Sequence, residues 1–500
     1  MILPLSKYPK GQKLHKYWSR KPWNIVYELV SRNSNPGETI LDPFCGSGSI
    51  GLETITSGRA FIGYDLNPFA CFLTEGTLNL EFDEIEFSKD FQEIRARVSK
   101  KIMDLYKVED SYLLYAVRGS ANKKDYNAVI SSLEFTNKKR IILDDESMEC
   151  EMEIPLNLHI PDREFPAKFY KDRFSYKGIS KVSHMFSKRN LYALAILNEE
   201  IENLGRNRNF FKLAFSNTLL HVSKLKSENI RPLGVNNYWI PDDFIEENVW
   251  WRFTDRVKNV ADAKSEHLMR LVDRKIENIG KFQVFNTSSL AMPLLKGSSI
   301  DYILTDPPYG DVIQYSELSF IWNTWLEKSF IIDEEVIINP VQNKDSESFY
   351  LQLNMFLKES YRVLKFNRKI TVAFQNKDFK IWIRFAELAR AVGFVFEGIE
   401  QFNYLGSPYN KNWSGKSPKV DLYLTLRKAR KRIETTEKIL FSDFVNLEQV
   451  RSEIDMCPSS DVKNKLIQIS VDYIFGGGDI IISSSKEVDN FINSIEHNLI

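Results

Sequence analysis

Two short segments hold residues whose types and spacing can do chemistry. The first is Asp306-Pro307-Pro308-Tyr309, which closes the apolar run 300–305. Two prolines fix two φ angles and remove two N–H donors. A carboxylate, backbone carbonyls and an aromatic ring are left facing outward. That is a rigid, acceptor-rich pocket with a stacking plate, suited to a planar base that carries an exocyclic NH2. Asp306 and the Pro307 carbonyl can each accept one N–H, and Tyr309 can stack on the ring. Holding both hydrogens orients the nitrogen lone pair toward an electrophile. Catalysis is then positioning plus electrostatics, with no covalent enzyme intermediate. The bland alternative is a turn that merely ends a strand.

The second segment runs from Asp42 to Gly48 as D-P-F-C-G-S-G. Glycines after a strand let the backbone turn tightly and let a ligand approach closely. The helix that follows offers free N–H groups. A lone GxG is weak, since an ordinary β-to-α turn has the same form, and two features narrow it. The third glycine and the lysine of a phosphate-binding loop are missing, and Asp65 closes the next strand, where a carboxylate can accept both hydroxyls of a ribose. Ribose without a phosphate cradle points to S-adenosylmethionine, and acidic Asp42 suits a sulfonium cation better than a pyrophosphate.

The elements that must position these segments follow from periodicity and turn signals. Strand 39–41, the glycine turn, helix 50–56 and strand 60–64 give a βαβ order. A different pattern fills 82–280: charged helical stretches, a polar stretch around 119–139, and helices near 190–204 and 210–225. The α/β pattern resumes with strands 300–305, 370–374, 394–399 and 420–426, separated by helices 349–364 and 379–391. The expected architecture is therefore one α/β domain, 1–81 and 281–428, split by a mainly helical insert, 82–280, that is available for target recognition. A helical extension, 429–500, follows and reads either as a partner-docking unit or as a packed extension. The halves must meet in space, because each alone has too few strands for a stable sheet.

Composition sets bounds. The 500 residues hold 67 Lys+Arg and 67 Asp+Glu, so any basic surface is a local patch offset elsewhere. A hydrophobic fraction of 43% and a charged fraction of 27% fit a globular chain with a full core. Disordered scaffolds, collagen-like rods and disulfide knots are excluded. Cys45, Cys71, Cys150 and Cys457 are far apart, with no CxxC pair, so no zinc ribbon can be built locally. The six histidines show no HxxH or HExxH pattern, and no metal is expected. No run of about 18 apolar residues and no apolar signal region is seen, so the expectation is a cytoplasmic protein without a membrane span.

The pair Asp42–Gly48 and Asp306–Tyr309 resembles the S-adenosylmethionine-dependent amino-methyltransferases that act on DNA adenine N6 or cytosine N4. Their shared fold is a seven-stranded, mostly parallel, Rossmann-like sheet with helices on both faces. His15-Lys16-Tyr17-Trp18-Ser19-Arg20-Lys21-Pro22-Trp23 is similar to the motif that precedes their cofactor cradle and closes over the methionine moiety. Gly63-Tyr64-Asp65-Leu66-Asn67-Pro68 is similar to their ribose-binding segment, and Asn286-Thr287-Ser288-Ser289 sits where they place residues near the cofactor adenine. Tyr361–Lys365 and Ala391–Phe394 match their later structural motifs. The resemblance implies cofactor contacts from Tyr17, Trp18, Lys21, Asp42, Pro43, Phe44, Gly46, Gly48, Asp65, Asn67 and Ser288. It implies catalytic roles for Asp306, Pro307, Pro308 and Tyr309.

Within that superfamily the chain looks closest to the adenine-specific methylases with a zinc ribbon, through Tyr315–Ser319 and Met185–Leu191. It departs from them in keeping only Cys150 in the early insert. D-P-P-Y in place of S-P-P-Y tilts the target to adenine. The following Gly310 raises RNA guanine-N2 methylation as a rival, though such enzymes usually carry a long N-terminal RNA-binding domain. The resemblance further implies duplex DNA as partner, with the base flipped out, and a role in restriction-modification or a related defence system beside a cognate subunit. Candidate nucleic-acid contacts are the basic-aromatic stretch 168–177 and the Gly/Asn-rich loop 404–416. Trp250-Trp251-Arg252-Phe253 reads as core. A non-catalytic, methyltransferase-like DNA-binding subunit is the alternative from a different class.

Overall fold

The computed structural model describes residues 14–18, 20–122, 125–135, 140–146, 154–155, 157–167, 169, 179–227, 238, 241, 243–329, 331–374, 376, 378–403, 420–429, 435, 437–458 and 461–498. The stretch 168–177, apart from Phe169, and the loop 404–416 lie outside them, as does Cys150.

Seven strands form one sheet: β1 (Thr39–Asp42), β2 (Ala60–Tyr64), β3 (Phe282–Phe285), β4 (Ile300–Thr305), β5 (Leu364–Phe374), β6 (Phe394–Asn403) and β7 (Val420–Lys428). Their order is β6-β7-β5-β4-β1-β2-β3. β3, β2, β1, β4 and β5 run parallel, and β7 runs antiparallel between β5 and β6. This is the expected mostly parallel α/β sheet, assembled from both halves of the chain.

Alternate side chains serve opposite faces. Ile40, Tyr302 and Leu304 pack with helices α1 (Trp23–Asn33) and α2 (Ser49–Ile55). Leu41, Ile303, Ile370 and Val372 pack on the other face with α8 (Ser346–Val363) and α9 (Phe379–Val392). With both faces covered, all six residues of β4 are buried, and Asp301 among them pairs with Lys365 at 2.6 Å.

The chain leaves β1 toward β2 and β3, whereas β4 and β5 extend the sheet the other way. β1 and β4 therefore meet where the strand order reverses, the place where open parallel sheets bind ligands beyond their carboxyl ends. Ile40 pairs with Tyr302 and Leu41 with Ile303. That register brings the residues after Asp42 beside those after Thr305.

The insert occupies the crossover from β2 to β3, after α3 (Pro68–Leu78). Its helices are α4 (Glu84–Asp104), α5 (Lys188–Glu202), α6 (Arg208–Leu219) and α7 (Val249–Asp273). It also holds an antiparallel sheet that periodicity did not reveal. Ser111–Asn122 pairs with Asp125–Phe135 and, across a long sequence gap, with Asp243–Glu247. Gly, Ser, Asn and charged residues dilute the apolar alternation there, so the segment reads as polar coil. The insert does not have a core of its own. Phe87, Phe211, Trp250 and Phe253 share one cluster with Trp18, Phe69 and Trp322, and Phe69 stacks on Trp322 at 4.4 Å. Trp250 and Phe253 are buried, as expected, while Trp251 is exposed.

The C-terminal extension is packed. Helix α10 (Val462–Phe475) lies on α9 within the same apolar cluster. Buried Arg390 of α9 donates to the carbonyls of Ile474 at 2.6 Å and Gly478 at 2.7 Å and pairs with Asp479. Among the described residues no helix is long and apolar enough to cross a membrane.

Candidate active site

The cradle begins where β1 ends. Gly46 (φ +51°) and Gly48 (φ +74°) adopt left-handed backbone, and Gly48 caps α2. A Cβ on Gly46 would lie 2.9 Å from Cε1 of Tyr17, so only bare backbone fits beneath that ring. Asp42 is buried, with Oδ1 accepting from Thr305 Oγ1 at 2.8 Å and Phe44 N at 3.1 Å. Burial outweighs those bonds and pushes its carboxyl up to about 7.

Asp65, just beyond β2, accepts from Gly46 N and Asn67 N, both at 2.9 Å. Burial raises it to about 6. Its carbonyl and that of Leu66 accept from Asn286 Nδ2 at 3.1 and 3.0 Å, which ties the ribose-type segment to the end of β3.

The D-P-P-Y segment leaves β4 beside the cradle. A cavity enclosing about 830 Å³, open mouth included, is lined by Asp42, Gly46 and Asp65 on one side and by Asp306 and Pro308 on the other. Tyr17, Trp18, Lys21, Phe44, Asn67 and Ser288 line it as well. Of the anticipated residues, Pro43, Gly48, Pro307 and Tyr309 are not in its wall. Gly48 acts through the turn, and Tyr309 differs from the expected stacking plate. Tyr309 is only 6% exposed and meets Phe374 edge-on at 5.9 Å. Its carbonyl accepts from Asn376 Nδ2 at 2.6 Å.

Two of the lining side chains also bond to the protein around them. Lys21 Nζ lies 3.0 Å from Asp306 Oδ2 and donates to the Tyr309 hydroxyl at 2.7 Å. Asn67 spends its amide on structure: it caps α3 through Phe69 N at 3.2 Å, donates to Ser319 Oγ at 2.9 Å and accepts from Asn323 at 3.0 Å. His15 is buried. Burial drives it down to about 3, and its Nε2 lies 3.1 Å from Ser216 Oγ.

The cavity also has residues that were not anticipated as site residues. Tyr315 stacks on Tyr17 at 6.0 Å, across the cradle. Glu335 is buried, with Oε1 accepting from Ser316 N at 2.9 Å while Oε2 has no hydrogen bond. Burial raises its carboxyl. Glu335 sits in an irregular segment with no motif, so no sequence signal marks it. Among the described residues no cluster of His, Cys, Asp or Glu is arranged to hold a metal ion.

Comparison with known proteins agrees with this geometry. Residues 2–75 match the family model described as DNA methylase. The type II methyltransferase M.MvaI of Kocuria varians is 25% identical over 329 residues, 63% of this chain and 56% of that protein. The DNA adenine methyltransferase YhdJ of Escherichia coli (strain K12) is 43% identical over 49 residues, 10% of this chain and 17% of its own. The type II methyltransferase M.HinfI of Haemophilus influenzae is 34% identical over 59 residues, 12% and 16% of the two chains. The chain thus spans little more than half of M.MvaI and about a sixth of the other two. By family model and by relatives alike, this chain is similar to the S-adenosylmethionine-dependent DNA amino-methyltransferases.

Proposed function

We propose that this protein transfers the methyl group of S-adenosylmethionine to the exocyclic amine of a base flipped out of duplex DNA, with adenine N6 as the target. The observation that carries the reading is the shared cavity. Asp306 and Pro308 of the D-P-P-Y segment face the same space as Gly46 and Asp65 of the cradle.

The residues present fit the cofactor. A bare-backbone turn under Tyr17 allows close approach. Asp65 and the unbonded Oε2 of Glu335 are acceptors for a cationic ligand rich in hydroxyl and amine donors. When bound, the cofactor supplies the methyl electrophile. The protein holds the amine on Asp306 and aligns its lone pair for in-line displacement. Transfer would form the N–C bond and break the C–S bond, whose electron pair the bound cofactor's sulfur would take. The surplus amine proton leaves through Asp306 to water. Extrusion of the base costs a few kcal/mol of stacking and pairing.

Adenine is favoured by the aspartate that opens the D-P-P-Y segment and by the likeness to YhdJ, a DNA adenine methyltransferase. A place in restriction-modification or a related defence system, in the cytoplasm and beside a cognate subunit, rests on the family resemblance and on the relatives being type II methyltransferases.

The test incubates the protein with radiolabelled S-adenosylmethionine and either mixed duplex DNA or bulk tRNA, then digests the products to nucleosides. N6-methyladenine in DNA, formed far more slowly by Asp306→Asn, is the expected result. N4-methylcytosine would move the target base, and label confined to RNA would move the substrate class. Cofactor binding without any transfer would favour a DNA-binding subunit.

A further inference from the structure

The contact between Lys21 and Asp306 joins segments far apart in the chain. We propose that Lys21 is the positioning residue of the acceptor: it fixes the orientation in which the Asp306 carboxylate meets the incoming amine. The inference rests on the methyltransferase reading and deepens it.

Lys21 is 5% exposed. An ammonium at that depth costs several kcal/mol unless it is paired and hydrogen-bonded. Its partners are Asp306 Oδ2 at 3.0 Å and the Tyr309 hydroxyl at 2.7 Å. That hydroxyl in turn donates to Asp306 Oδ1. Lysine, tyrosine and aspartate form a closed ring, and each carboxylate oxygen is held from the protein side. An aspartate is soft about χ2, and this ring removes the softness. A carboxylate offers about four lone-pair positions, more than the lysine and the tyrosine use.

The backbone is fixed as well. Pro22 follows Lys21 and caps α1, which restricts Lys21 to extended conformations. Tyr17, four residues earlier, lies on Gly46. One short segment therefore touches the cofactor turn with one residue and the amine acceptor with another. A lysine suits the post because a compact point charge reaches a carboxylate and a phenol together, which a planar guanidinium does less well. Lys21 keeps its own proton throughout the reaction.

The test combines single-turnover methyl transfer at saturating cofactor and DNA with equilibrium binding of S-adenosylhomocysteine. The variants are Lys21→Met, Lys21→Arg and Tyr309→Phe, alone and with Asp306→Asn. Lys21→Met is expected to slow transfer about 100-fold, the scale of a lost preorganised contact. S-adenosylhomocysteine affinity should change less than about 3-fold, since a group acting on the transition state spares ground-state binding. Lys21→Arg should recover part of the rate. Tyr309→Phe, which removes one hydroxyl, should reproduce the split if Lys21→Met fails to fold. In the Asp306→Asn background, Lys21→Met should cost less than about 3-fold more, because the two act as one unit. Additive losses would overturn the proposal. So would a Lys21→Met variant that binds S-adenosylhomocysteine far more weakly yet keeps its transfer rate, which would make Lys21 a cofactor ligand. A wild-type protein that methylates no nucleic acid would instead overturn the reading beneath it.

Discussion

Asp42 and Asp65 face opposite demands from folding and from ligand binding. Burial holds them at about 7 and about 6, against about 3.9 in an unfolded chain. Between about pH 4 and 7 the folded protein thus binds more protons than the unfolded one, so the stability these groups lend is full below about pH 4 and lost as pH rises to 7. A cationic cofactor needs the ionised forms, so its affinity should rise across the upper part of that window. Asp42→Asn keeps the acceptor for Thr305 and Phe44 N but never ionises. It should melt about 2–5 °C higher than wild type at pH 8, and bind S-adenosylmethionine about tenfold more weakly, the worth of one charge-assisted hydrogen bond. Calorimetric melts and titrations at pH 5 and pH 8 check both, and the gap between the two melts should narrow at pH 5 and close near pH 4. At this scale much was legible. Asp42, Asp65 and Asp306 stand out by type and by place at strand ends. Lys21 was legible as a site residue, but its partner was not.

Helix α7 of the insert is held to the catalytic sheet by buried charge as well as by apolar packing. Glu53 of α2 is fully buried and pairs with Arg270 and, at 2.6 Å, with Arg274, both on the insert side. Arg270 lies over Trp23 at 5.3 Å and Arg274 over Tyr27 at 4.1 Å. Lys264 reaches from α7 to the end of α3, where it donates to the carbonyls of Thr77 at 3.0 Å and Asn79 at 2.9 Å and to that of Gly76. A cation at a helix C-terminus satisfies carbonyls that have no partner within the helix. Glu53→Ala would leave two guanidiniums with no carboxylate between them, and it should destabilise by about 3–5 kcal/mol in equilibrium denaturant unfolding. A loss below about 1 kcal/mol, the value of an exposed pair, would show that water reaches the cluster. Helix α7 itself follows from its amphipathic period. Its clamp does not, because Glu53 and Arg270 are far apart in sequence and nothing local to either marks the other.

Among the described residues the C-terminal extension packs into the cluster on one face of the sheet. Helix α10 covers α9, whose Phe379, Trp382 and Phe385 are buried in the shared cluster. A chain ending at residue 429 would bare that face and strip Arg390 of its carbonyl partners. It should be insoluble or should lose its cooperative melt, which expression and calorimetry of the shortened chain would check. A shortened chain with an unchanged melt would mean that the extension is a separable docking unit.

What the sequence by itself determined is local. The glycine turn after β1, the aspartate after β2, the D-P-P-Y stop after β4 and the spans of the long helices are written in a few adjacent residues, because φ limits, turn chemistry and side-chain period act over a few positions. Tertiary structure alone decided which of these segments meet. The strand order made β1 and β4 neighbours and so joined cradle and acceptor in one cavity. It brought Lys21 to Tyr309 across 288 positions and Glu335 to the cavity wall, and it paired the insert's polar strands. Such contacts depend on which faces the whole chain can bury together, and no short window of residues carries that information.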